Sequence, residues 1–390
     1  MIPLNERSNA IMKRKKLKIG VDVRPLASSK TGIGHYVYNV LEELAEIDPY
    51  NEYFLYSHLP VKGNLPDFYR HVCFSQTKKS HYWLQTQLPF RLFKDKIDLF
   101  WGGGYAAPMV GPAIHRWKTV ITVHDLVYQR YPETLPWKPG IHMRWCLPSY
   151  MRVADRIIAD SENTARDIET FHGRLRNKVT VIPLAASKRF FEERNDDAVQ
   201  RVLSQYGLKP GYLLYVGTIE PRKGVDTILR ALAQLQDRGV ATPQLVLAGK
   251  AGWKTEGIMA LPQSLGLQGL VHFLDYVADD DLPAIYKGAT LFLYPSLYEG
   301  FGLPVLEAMA SGTPVITSRA ASLPEVAGDA AVYVDAGDVA GLGRMIEECL
   351  SNVVLRERLK KTGRIQAEKF SWRKTAERTL ELFEECGVID

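Results

Sequence analysis

Short apolar strand candidates alternate with helical patterns along the whole chain, and the alternation restarts near Arg201. Leu17–Val23 is rich in β-branched residues and precedes an apolar stripe at helical spacing between positions 37 and 44. The other strand candidates are Tyr53–Tyr56, Thr119–Val123, Arg156–Ala159, Val179–Ile182, Tyr212–Val216, Gln244–Ala248, Val271–Leu274, Leu291–Tyr294, Val315–Thr317 and Ala331–Val334. Strands that alternate with helices predict parallel sheets covered on both faces.

The restart divides the sequence into two α/β parts of similar size. We predict domains over residues 1–195 and 196–370, followed by a final segment, 371–390, with an amphipathic helix over Trp372–Cys386. The charged segment Lys188–Gln200 is the predicted linker. Because open parallel sheets bind ligands at the carboxyl ends of their strands, two such domains that face each other are expected to form a ligand-binding cleft.

The composition is that of an ordinary globular protein and excludes several classes of chain. With 46% apolar and 24% charged residues, the 390-residue chain is not disordered, collagen-like or a disulfide-rich miniprotein. No window approaches the ~20 apolar residues of a membrane span. The four cysteines are far apart, which favours a reducing, cytosolic compartment. The basic N-terminal residues run directly into a predicted strand, without the apolar h-region or cleavage site of a signal peptide, so none is predicted.

Charge is distributed unevenly between the two halves. Residues 1–190 contain 28 Lys and Arg against 17 Asp and Glu, a net charge of +11, and the remainder contains 21 against 27, a net charge of −6. The basic half is expected to face an anion, which nucleic acid, a lipid head group or a phosphorylated substrate would supply. Unevenly distributed solubilising charge is the alternative.

Aromatic and basic residues interleave in two stretches of the basic half, Lys78–Lys96 and Trp137–Arg152. Such a pattern is typical of a helix at a membrane interface or of a surface that stacks on nucleic acid. Core packing beneath a solvated face would produce the same pattern, so the sequence leaves these three interpretations open.

The segment Tyr294–Gly312 carries the strongest functional signal. A glycine-containing loop follows a predicted strand and leads into a helix with a proline in its first turn, where free backbone N–H groups form an anion site. Gly300 and Gly302 let a ligand approach the backbone. Glu299 in the loop and Glu307 in the helix can both reach the cleft and accept hydrogen bonds from sugar or ribose hydroxyls. An ordinary loop before a helix whose dipole favours a glutamate is the alternative.

Three shorter motifs follow predicted strands at the same cleft. Arg222 and Lys223 offer a planar fork of donors and a point charge, which suits a diphosphate, and a solvated turn is the alternative. Gly32 and Gly34 form either a backbone loop over phosphate or a tight turn before a helix. His124 either donates a hydrogen bond to a sugar hydroxyl or leaving group, or is a structural histidine.

The acidic run Asp279–Asp281 has the spacing of a D-x-D metal clamp. It directly precedes a predicted helix start at Leu282, and acidic residues at that position cap a helix and interact favourably with its dipole. We therefore interpret the run as a helix cap. Because no His or Cys cluster has zinc spacing either, no metal is predicted.

The Glu299 and Glu307 segment resembles the E-x7-E motif of retaining glycosyltransferases of family 4. The resemblance continues in the expected order over residues 18–372, through Asp22–Arg24, Thr31–Gly34, His124-Asp125, Ser161–Thr164, Val181–Pro183, Glu220–Gly224, Leu247–Lys250, Thr313–Ile316 and Leu323–Val326. It implies the GT-B architecture, in which two Rossmann-like, doubly wound α/β domains face a cleft and a C-terminal helix crosses back to the first domain. It further implies that residues 1–195 bind the acceptor and residues 196–370 bind a nucleotide sugar.

The resemblance implies a role for each residue of the predicted site, which holds the nucleotide sugar without a metal or other cofactor. Residues expected to act in catalysis are His124, Arg222, Lys223 and Glu299. Residues expected to bind the donor are Gly32, Gly34, Tyr276, Val277, Glu299, Gly300, Phe301, Gly302, Leu303 and Glu307. Asp275 stands where many family members have glycine, close to the residues expected to touch the base, so the nucleobase stays open.

By the same analogy each group contacts one part of the donor. Glu307 binds the ribose hydroxyls, while Arg222 and Lys223 bind the diphosphate and stabilise the departing nucleotide. Glu299 and the backbone that follows it hold the donor sugar, which His124 also contacts. The two glycines of the first domain cover the phosphates. No aspartate is placed as a nucleophile, so the expected retaining route is attack by the acceptor hydroxyl on the face that the phosphate leaves.

These features predict a hexosyltransferase that extends a lipid-linked or growing glycan in cell-surface polysaccharide biosynthesis. The T-G-I-G-H-Y motif and Gly249–Trp253 are most similar to bacterial mannosyltransferases, which makes GDP-mannose the first expected donor and another nucleotide hexose the alternative. The enzyme is expected in the cytoplasm, peripherally bound to the anionic inner leaflet. A GT-B epimerase or phosphorylase is disfavoured by the full motif set. A nucleic-acid-binding module would leave the glutamate pair without a function.

Overall fold

Two parallel β-sheets with the same strand order organise the protein. The computed structural model describes residues 15–27, 32–61, 65–66, 68–73, 77, 79–110 and 117–388, except the side chains of residues 71–73, 138–139 and 388. Lys13, Arg14, Thr31 and Lys78, on which parts of the N-terminal, glycine-motif and aromatic predictions depend, lie outside the described residues.

The first sheet has the order β3-β2-β1-β4-β5-β6-β7 and the second has the order β10-β9-β8-β11-β12-β13. The strands of the first are β1 Lys18–Asp22, β2 Glu52–Ser57, β3 Arg70–Cys73, β4 Leu99–Gly102, β5 Lys118–Val123, β6 Arg156–Ala159 and β7 Val179–Val181. Those of the second are β8 Tyr212–Val216, β9 Leu245–Ala248, β10 Val271–Leu274, β11 Ala289–Tyr294, β12 Val315–Ser318 and β13 Val332–Val334. We call each sheet with its covering helices the first and the second unit. Each order reverses beside its unit's first strand, which is the point where open α/β sheets bind ligands.

Helices cover both faces of each sheet, as the apolar strands require. Those between the strands of the first unit are Gly32–Ile47, Ser80–Tyr82, Leu88–Asp95, Val127–Arg130, Trp137–Val153 and Glu162–His172, with a π-helical stretch, Trp83–Gln87, joining the second and third. The others are Asp196–Gln205, Val225–Asp237, Glu256–Ser264, Leu282–Gly288, Leu303–Ala310, Leu323–Ala327, Val339–Ser351, Val353–Ala367 and Trp372–Val388. None of the helices in the described ranges is long and apolar enough to span a bilayer.

The final helix, Trp372–Val388, crosses back onto the first unit, as predicted. It packs against the helix Gly32–Ile47 and against β4 and β5. The Phe383 ring is fully buried and its centroid lies 5.6 Å from that of Trp101 in β4. The final helix therefore contributes to the core of the first unit.

The predicted linker Lys188–Gln200 is not one extended connection. It contains a 3-10 turn, Lys188–Phe190, and the start of the helix Asp196–Gln205. The Asn195 side chain accepts a hydrogen bond from the Ala198 N–H and caps this helix. Val199, which is buried, lies on its apolar face, and the surrounding charges concealed that face in the sequence.

Candidate active site

A cavity of about 490 Å³ lies between the two units at the carboxyl ends of their strands. His124, Asp125 and Asp160 line it from the first unit, and Arg222 and Lys223 line it from the second together with the loop after β11. A neighbouring pocket of about 310 Å³ shares Gly32 and Gly217 with it and extends to Glu307. Two adjoining pockets at a strand-order reversal form a site for an elongated ligand.

Arg222, Lys223 and Glu299 form a buried charged cluster at the base of the larger cavity. Lys223 Nζ donates hydrogen bonds to both Glu299 carboxylate oxygens, at 2.7 and 2.8 Å, and to the Tyr294 hydroxyl at 2.9 Å. An Arg222 nitrogen lies 2.8 Å from a carboxylate oxygen of Glu220, and another lies 3.4 Å from Glu299. Burial alone would raise the pKa of Glu299, but Lys223 and Arg222 lower it to about 2. Glu299 is therefore an ionised counterion that holds both cations in place.

The backbone brings the two loops of this cluster together. A short 3-10 turn, Pro221–Lys223, separates β8 from the next helix, and Gly224 ends it with a φ of 72°. A Cβ at Gly224 would lie 2.4 Å from the Pro295 carbonyl oxygen, so only glycine allows this approach. The Leu297 N–H also donates to the Arg222 carbonyl at 2.7 Å. The motif after β8 and the motif after β11 thus form one structural element.

Glu307 lies in the neighbouring pocket, away from this cluster. It follows the first turn of the helix Leu303–Ala310 and accepts a hydrogen bond from the Tyr286 hydroxyl at 3.0 Å. Burial raises the pKa of Glu307 to about 7. Tyr276 also lines this pocket with half of its surface exposed and Lys250 Nζ 5.3 Å from its ring centroid, while Val277 is buried. An acceptor carboxylate and an exposed ring therefore lie in one pocket.

The segment after Glu299 contacts the first unit closely. A Cβ at Gly300 would lie 1.7 Å from the His124 carbonyl oxygen. Because Gly300 has no side chain, the His124 backbone of the first unit can approach it closely. The Ser161 and Thr164 hydroxyls donate to the Gly300 carbonyl at 2.6 and 3.2 Å. Gly302 has a φ of 103° and precedes the helix that contains Glu307. Phe301 is buried and Leu303 lines both pockets.

The first unit contributes Gly32, Gly34 and His124. Gly32 and Gly34 lie in the first turn of the helix Gly32–Ile47 and not in a loop before it; Gly32 is exposed and lines both pockets, whereas Gly34 is buried. His124 Nε2 donates to the Gly103 carbonyl at 2.8 Å, and its Nδ1 lies 2.6 Å from Asp160 Oδ2. Burial would lower the pKa of His124, but the Asp160 carboxylate raises it overall. Both ring nitrogens are therefore engaged within the protein.

Sequence reasoning did not single out Asp160, although a signal for it existed. His124 follows Val123 and Asp160 follows Ala159, and these two residues are register partners in the neighbouring parallel strands β5 and β6. Residues that follow register partners lie side by side at the sheet edge. Knowledge that β5 and β6 are neighbours would have identified the pair.

The acidic run Asp279–Asp281 does not cap its helix through side chains, which corrects the interpretation from the sequence. Asp281 is the N-cap residue of Leu282–Gly288, but its side chain makes no capping hydrogen bond and instead accepts from the Tyr206 hydroxyl at 2.8 Å. Asp279 faces His35 across the cleft at 3.6 Å, and Asp280 is exposed. Within the described ranges, no group of three or more His, Cys, Asp or Glu side chains is placed to hold a metal ion.

Comparisons with known proteins identify the family of the chain. Residues 31–186 match the family described as Glycosyltransferase Family 4, and residues 200–366 match Glycosyl transferases group 1. The chain is 34% identical to the O-antigen chain mannosyltransferase B of Escherichia coli over 68% of this chain and 70% of that relative. It is 32% identical to the serotype-specific mannosyltransferase WbdA of Escherichia coli over 68% of this chain, although it spans only 33% of that longer protein.

The fold also has solved counterparts. The crystal structure of Anabaena Alr3699/HepE in complex with UDP and glucose superimposes with a TM-score of 0.73 at 18% identity, over 95% of this chain and 100% of that one. An identity this low shows a shared architecture only. That architecture is the GT-B fold that the sequence predicted.

Proposed function

The chain belongs to glycosyltransferase family 4 and is a glycosyltransferase, and we propose that it transfers mannose from GDP-mannose to a lipid-linked or growing glycan, with retention of anomeric configuration. Relatives that are named mannosyltransferases, one of them for the O-antigen chain, support the sugar and the class of acceptor. Another nucleotide hexose is the alternative donor, since the solved counterpart was crystallised with UDP. GDP-mannose enters as a co-substrate, and no metal or other cofactor takes part in the proposed reaction.

The observation that carries the proposal is the Arg222–Lys223–Glu299 cluster beside the pocket of Glu307. Two buried cations suit a diphosphate, and the neighbouring carboxylate suits ribose hydroxyls. The exposed Tyr276 ring and Val277 are proposed to contact the base. In this arrangement the donor sugar lies in the larger cavity against Glu299 and the loop formed by Gly300, Phe301, Gly302 and Leu303.

The first unit completes the proposed donor site. Gly32 borders both pockets, so the helix start that it shares with Gly34 would cover the phosphates. Because both nitrogens of His124 are engaged by Gly103 and Asp160, we propose that His124 contacts the donor sugar through its ring edge or its backbone. The proposed division of the chain is the one expected from the sequence, with residues 1–195 binding the acceptor, 196–370 binding the donor and 371–390 forming the returning helix.

The geometry supports a reaction in which the cations stabilise the leaving group. The bond between the anomeric carbon and the β-phosphate oxygen breaks, and negative charge that develops on the diphosphate is stabilised by Arg222 and Lys223. The acceptor hydroxyl bonds to the anomeric carbon from the same face, and its proton passes to the departing phosphate oxygen. A trapped covalent adduct between the sugar and the enzyme would refute this route.

A thermal-shift panel tests the donor. We expect GDP and GDP-mannose to raise the melting temperature more than UDP, ADP or dTDP and their sugars at equal concentration, because stabilisation grows with the logarithm of ligand concentration over Kd. Glu307→Ala should abolish the shift by GDP. A larger shift with a uridine nucleotide would indicate a UDP-hexose as donor instead of GDP-mannose. Product formation from the donor alone, without an acceptor, would indicate an epimerase instead of a transferase.

The first unit presents an apolar surface that fits the proposed membrane association. Trp137, Ile141 and Trp145 are 50–74% exposed on the helix Trp137–Val153, and Phe90 and Phe93 are 78% and 55% exposed on the helix Leu88–Asp95. The ring of His142 in the first of these helices lies 5.1 Å from that of His81 in Ser80–Tyr82, which leads through Trp83–Gln87 into Leu88–Asp95. With the net charge of +11 in this half, exposed aromatic residues favour binding to an anionic leaflet on the cytoplasmic side over binding to nucleic acid.

Liposome sedimentation tests this association. The protein should sediment with anionic vesicles in low salt and less in high salt, and Trp137→Ser with Trp145→Ser should release it. Val354→Ser is the matched control, because Val354 is 81% exposed on a helix of the second unit. Equal sedimentation of both variants, or no sedimentation at either salt concentration, would refute the membrane surface.

A further inference from the structure

Tyr298 belongs to the second unit in sequence but to the first unit in packing. It follows β11 by four residues and directly precedes Glu299. Its side chain is only 3% exposed and joins a buried apolar cluster whose other buried members, among the described residues, all lie between residues 54 and 175. The Tyr131 ring of the first unit lies 5.8 Å away, centroid to centroid. The side chain therefore crosses the cleft.

The Tyr298 hydroxyl makes two hydrogen bonds in the first unit. It donates to Asp167 Oδ2 at 2.7 Å and accepts from the Leu126 N–H at 3.1 Å. Asp167 is buried and also accepts from Arg130 Nε at 2.9 Å, so its position is fixed independently of the second unit. Leu126 lies two residues after His124, in the loop that borders the cavity. The hydroxyl is therefore hydrogen-bonded to the cavity wall that lies opposite the charged cluster.

The backbone of the same residue contacts the charged cluster. The Tyr298 carbonyl accepts a hydrogen bond from Arg222 Nη1 at 2.7 Å. The Ser296 hydroxyl lies 3.3 Å from this carbonyl and donates to Glu299 Oε1 at 2.7 Å. One residue thus joins the wall of the first unit to Arg222 and, through its neighbour Glu299, to Lys223.

We propose that Tyr298 is a positioning residue through which closure of the first unit over the cleft places Arg222 and Lys223 for departure of the diphosphate. This rests on the proposed function, in which those two cations bind the diphosphate. When the units separate, the hydroxyl loses Asp167 and the Leu126 N–H, and the carbonyl that orients Arg222 loses its anchor. Transfer is then coupled to closure, and an open enzyme that has bound donor does not release the nucleotide.

The test is Tyr298→Phe, which keeps the ring and removes both hydrogen bonds of the hydroxyl. Release of GDP from GDP-mannose is measured with a polyprenyl-diphosphate-linked mannoside as acceptor, below the melting temperature of each variant. The Tyr298 hydroxyl donates to the charged carboxylate of Asp167. Because hydrogen bonds to charged groups are strong, we expect kcat to fall about ten- to a hundred-fold when this hydroxyl is removed. The KM for GDP-mannose should change less than three-fold. Tyr131→Phe is the matched control, because it removes a hydroxyl from the neighbouring ring and should keep wild-type kcat.

A double-mutant cycle separates positioning from mere structural support. In the Arg222→Ala background, Tyr298→Phe should lower the residual turnover by a smaller factor than it lowers wild-type turnover, because the part of its effect that passes through Arg222 is already lost. An unchanged kcat in Tyr298→Phe, or a full additional loss in the Arg222→Ala background, would overturn the inference while leaving the proposed site intact. Wild-type turnover in Arg222→Ala alone would refute the proposed function and this inference with it.

Discussion

Replacing Gly300 with alanine is the sharpest test of the arrangement between the two units. The residue lies in the loop after β11 and contacts the backbone of the loop after β5, in the other unit. An alanine Cβ at this position would lie 1.7 Å from the His124 carbonyl oxygen and 2.7 Å from its carbonyl carbon. Both of these atoms belong to backbone, so a rotamer change cannot relieve the collision.

The size of the effect follows from these distances. Cβ atoms essentially never approach other heavy atoms within 3.0 Å, so the two loops must separate by at least 1.3 Å, which is 3.0 minus 1.7 Å. A displacement of about 1 Å between reacting groups costs on the order of a hundred-fold in rate. We therefore expect kcat to fall at least about a hundred-fold in Gly300→Ala. The affinity for GDP should change little, because Arg222, Lys223 and Glu307, which are proposed to bind the nucleotide, all belong to the second unit.

The assay combines turnover with binding. Release of GDP from GDP-mannose gives kcat, and calorimetric titration with GDP gives Kd. Gly257→Ala is the control, because Gly257 lies in the helix Glu256–Ser264 with nothing within 4 Å of an added Cβ. The control should keep full activity and gain about 0.5–1 kcal/mol of stability. Wild-type kcat in Gly300→Ala would refute the claim that the active enzyme has the units this close.

Three further variants test separate parts of the structure. The pKa of Glu307 is about 7, and only the ionised carboxylate accepts hydrogen bonds at both of its oxygens. The Kd for GDP should therefore rise as the pH falls through 7. Glu307→Gln should bind GDP weakly, with a Kd that stays the same between pH 5.5 and 8.5. Phe383→Ala removes a fully buried ring and should cost about 3–5 kcal/mol in urea unfolding, against less than about 0.5 kcal/mol for exposed Val354→Ala. Asp160→Asn removes the charge that raises the pKa of His124 and leaves the burial that lowers it, so imidazole nitrogen NMR shifts should show a lower His124 pKa; an unchanged value would contradict the pairing.

The sequence predicted every strand of the second sheet and most of the first, but missed β3 and β4. Tyr212–Val216 has the predicted bounds, since a buried parallel strand consists of a continuous apolar run. Arg70–Cys73 was missed because it is an edge strand of only four residues, half of them polar. Leu99–Gly102 was missed because the glycines that follow its aromatic pair are typical of a loop.

The sequence also predicted which motifs meet within one unit, but not how the units meet. Arg222, Lys223 and Glu299 follow neighbouring strands of one sheet, so the alternation of strands and helices was sufficient to bring them to one edge. The bond from Tyr298 to Asp167 joins positions 131 residues apart in different units. Nothing in a single sequence reports such a distance, because both residues are compatible with ordinary loop and helix positions in their own units.

Charge balance explains how two cations can be buried at this site before a donor arrives. Arg222 and Lys223 are opposed by Glu220 and Glu299, so the cluster is formally neutral, and all three N–H groups of Lys223 already have acceptors. In the proposed function, a diphosphate that binds Lys223 would replace Glu299 as its partner. The Arg222 Nε is buried without a hydrogen-bond partner among the described residues, so the cluster contains one donor that Glu220 and Glu299 do not satisfy. Since Glu299 adjoins Tyr298 in the chain, the carboxylate that the phosphate would displace lies on the segment that the first unit holds through the Tyr298 hydroxyl.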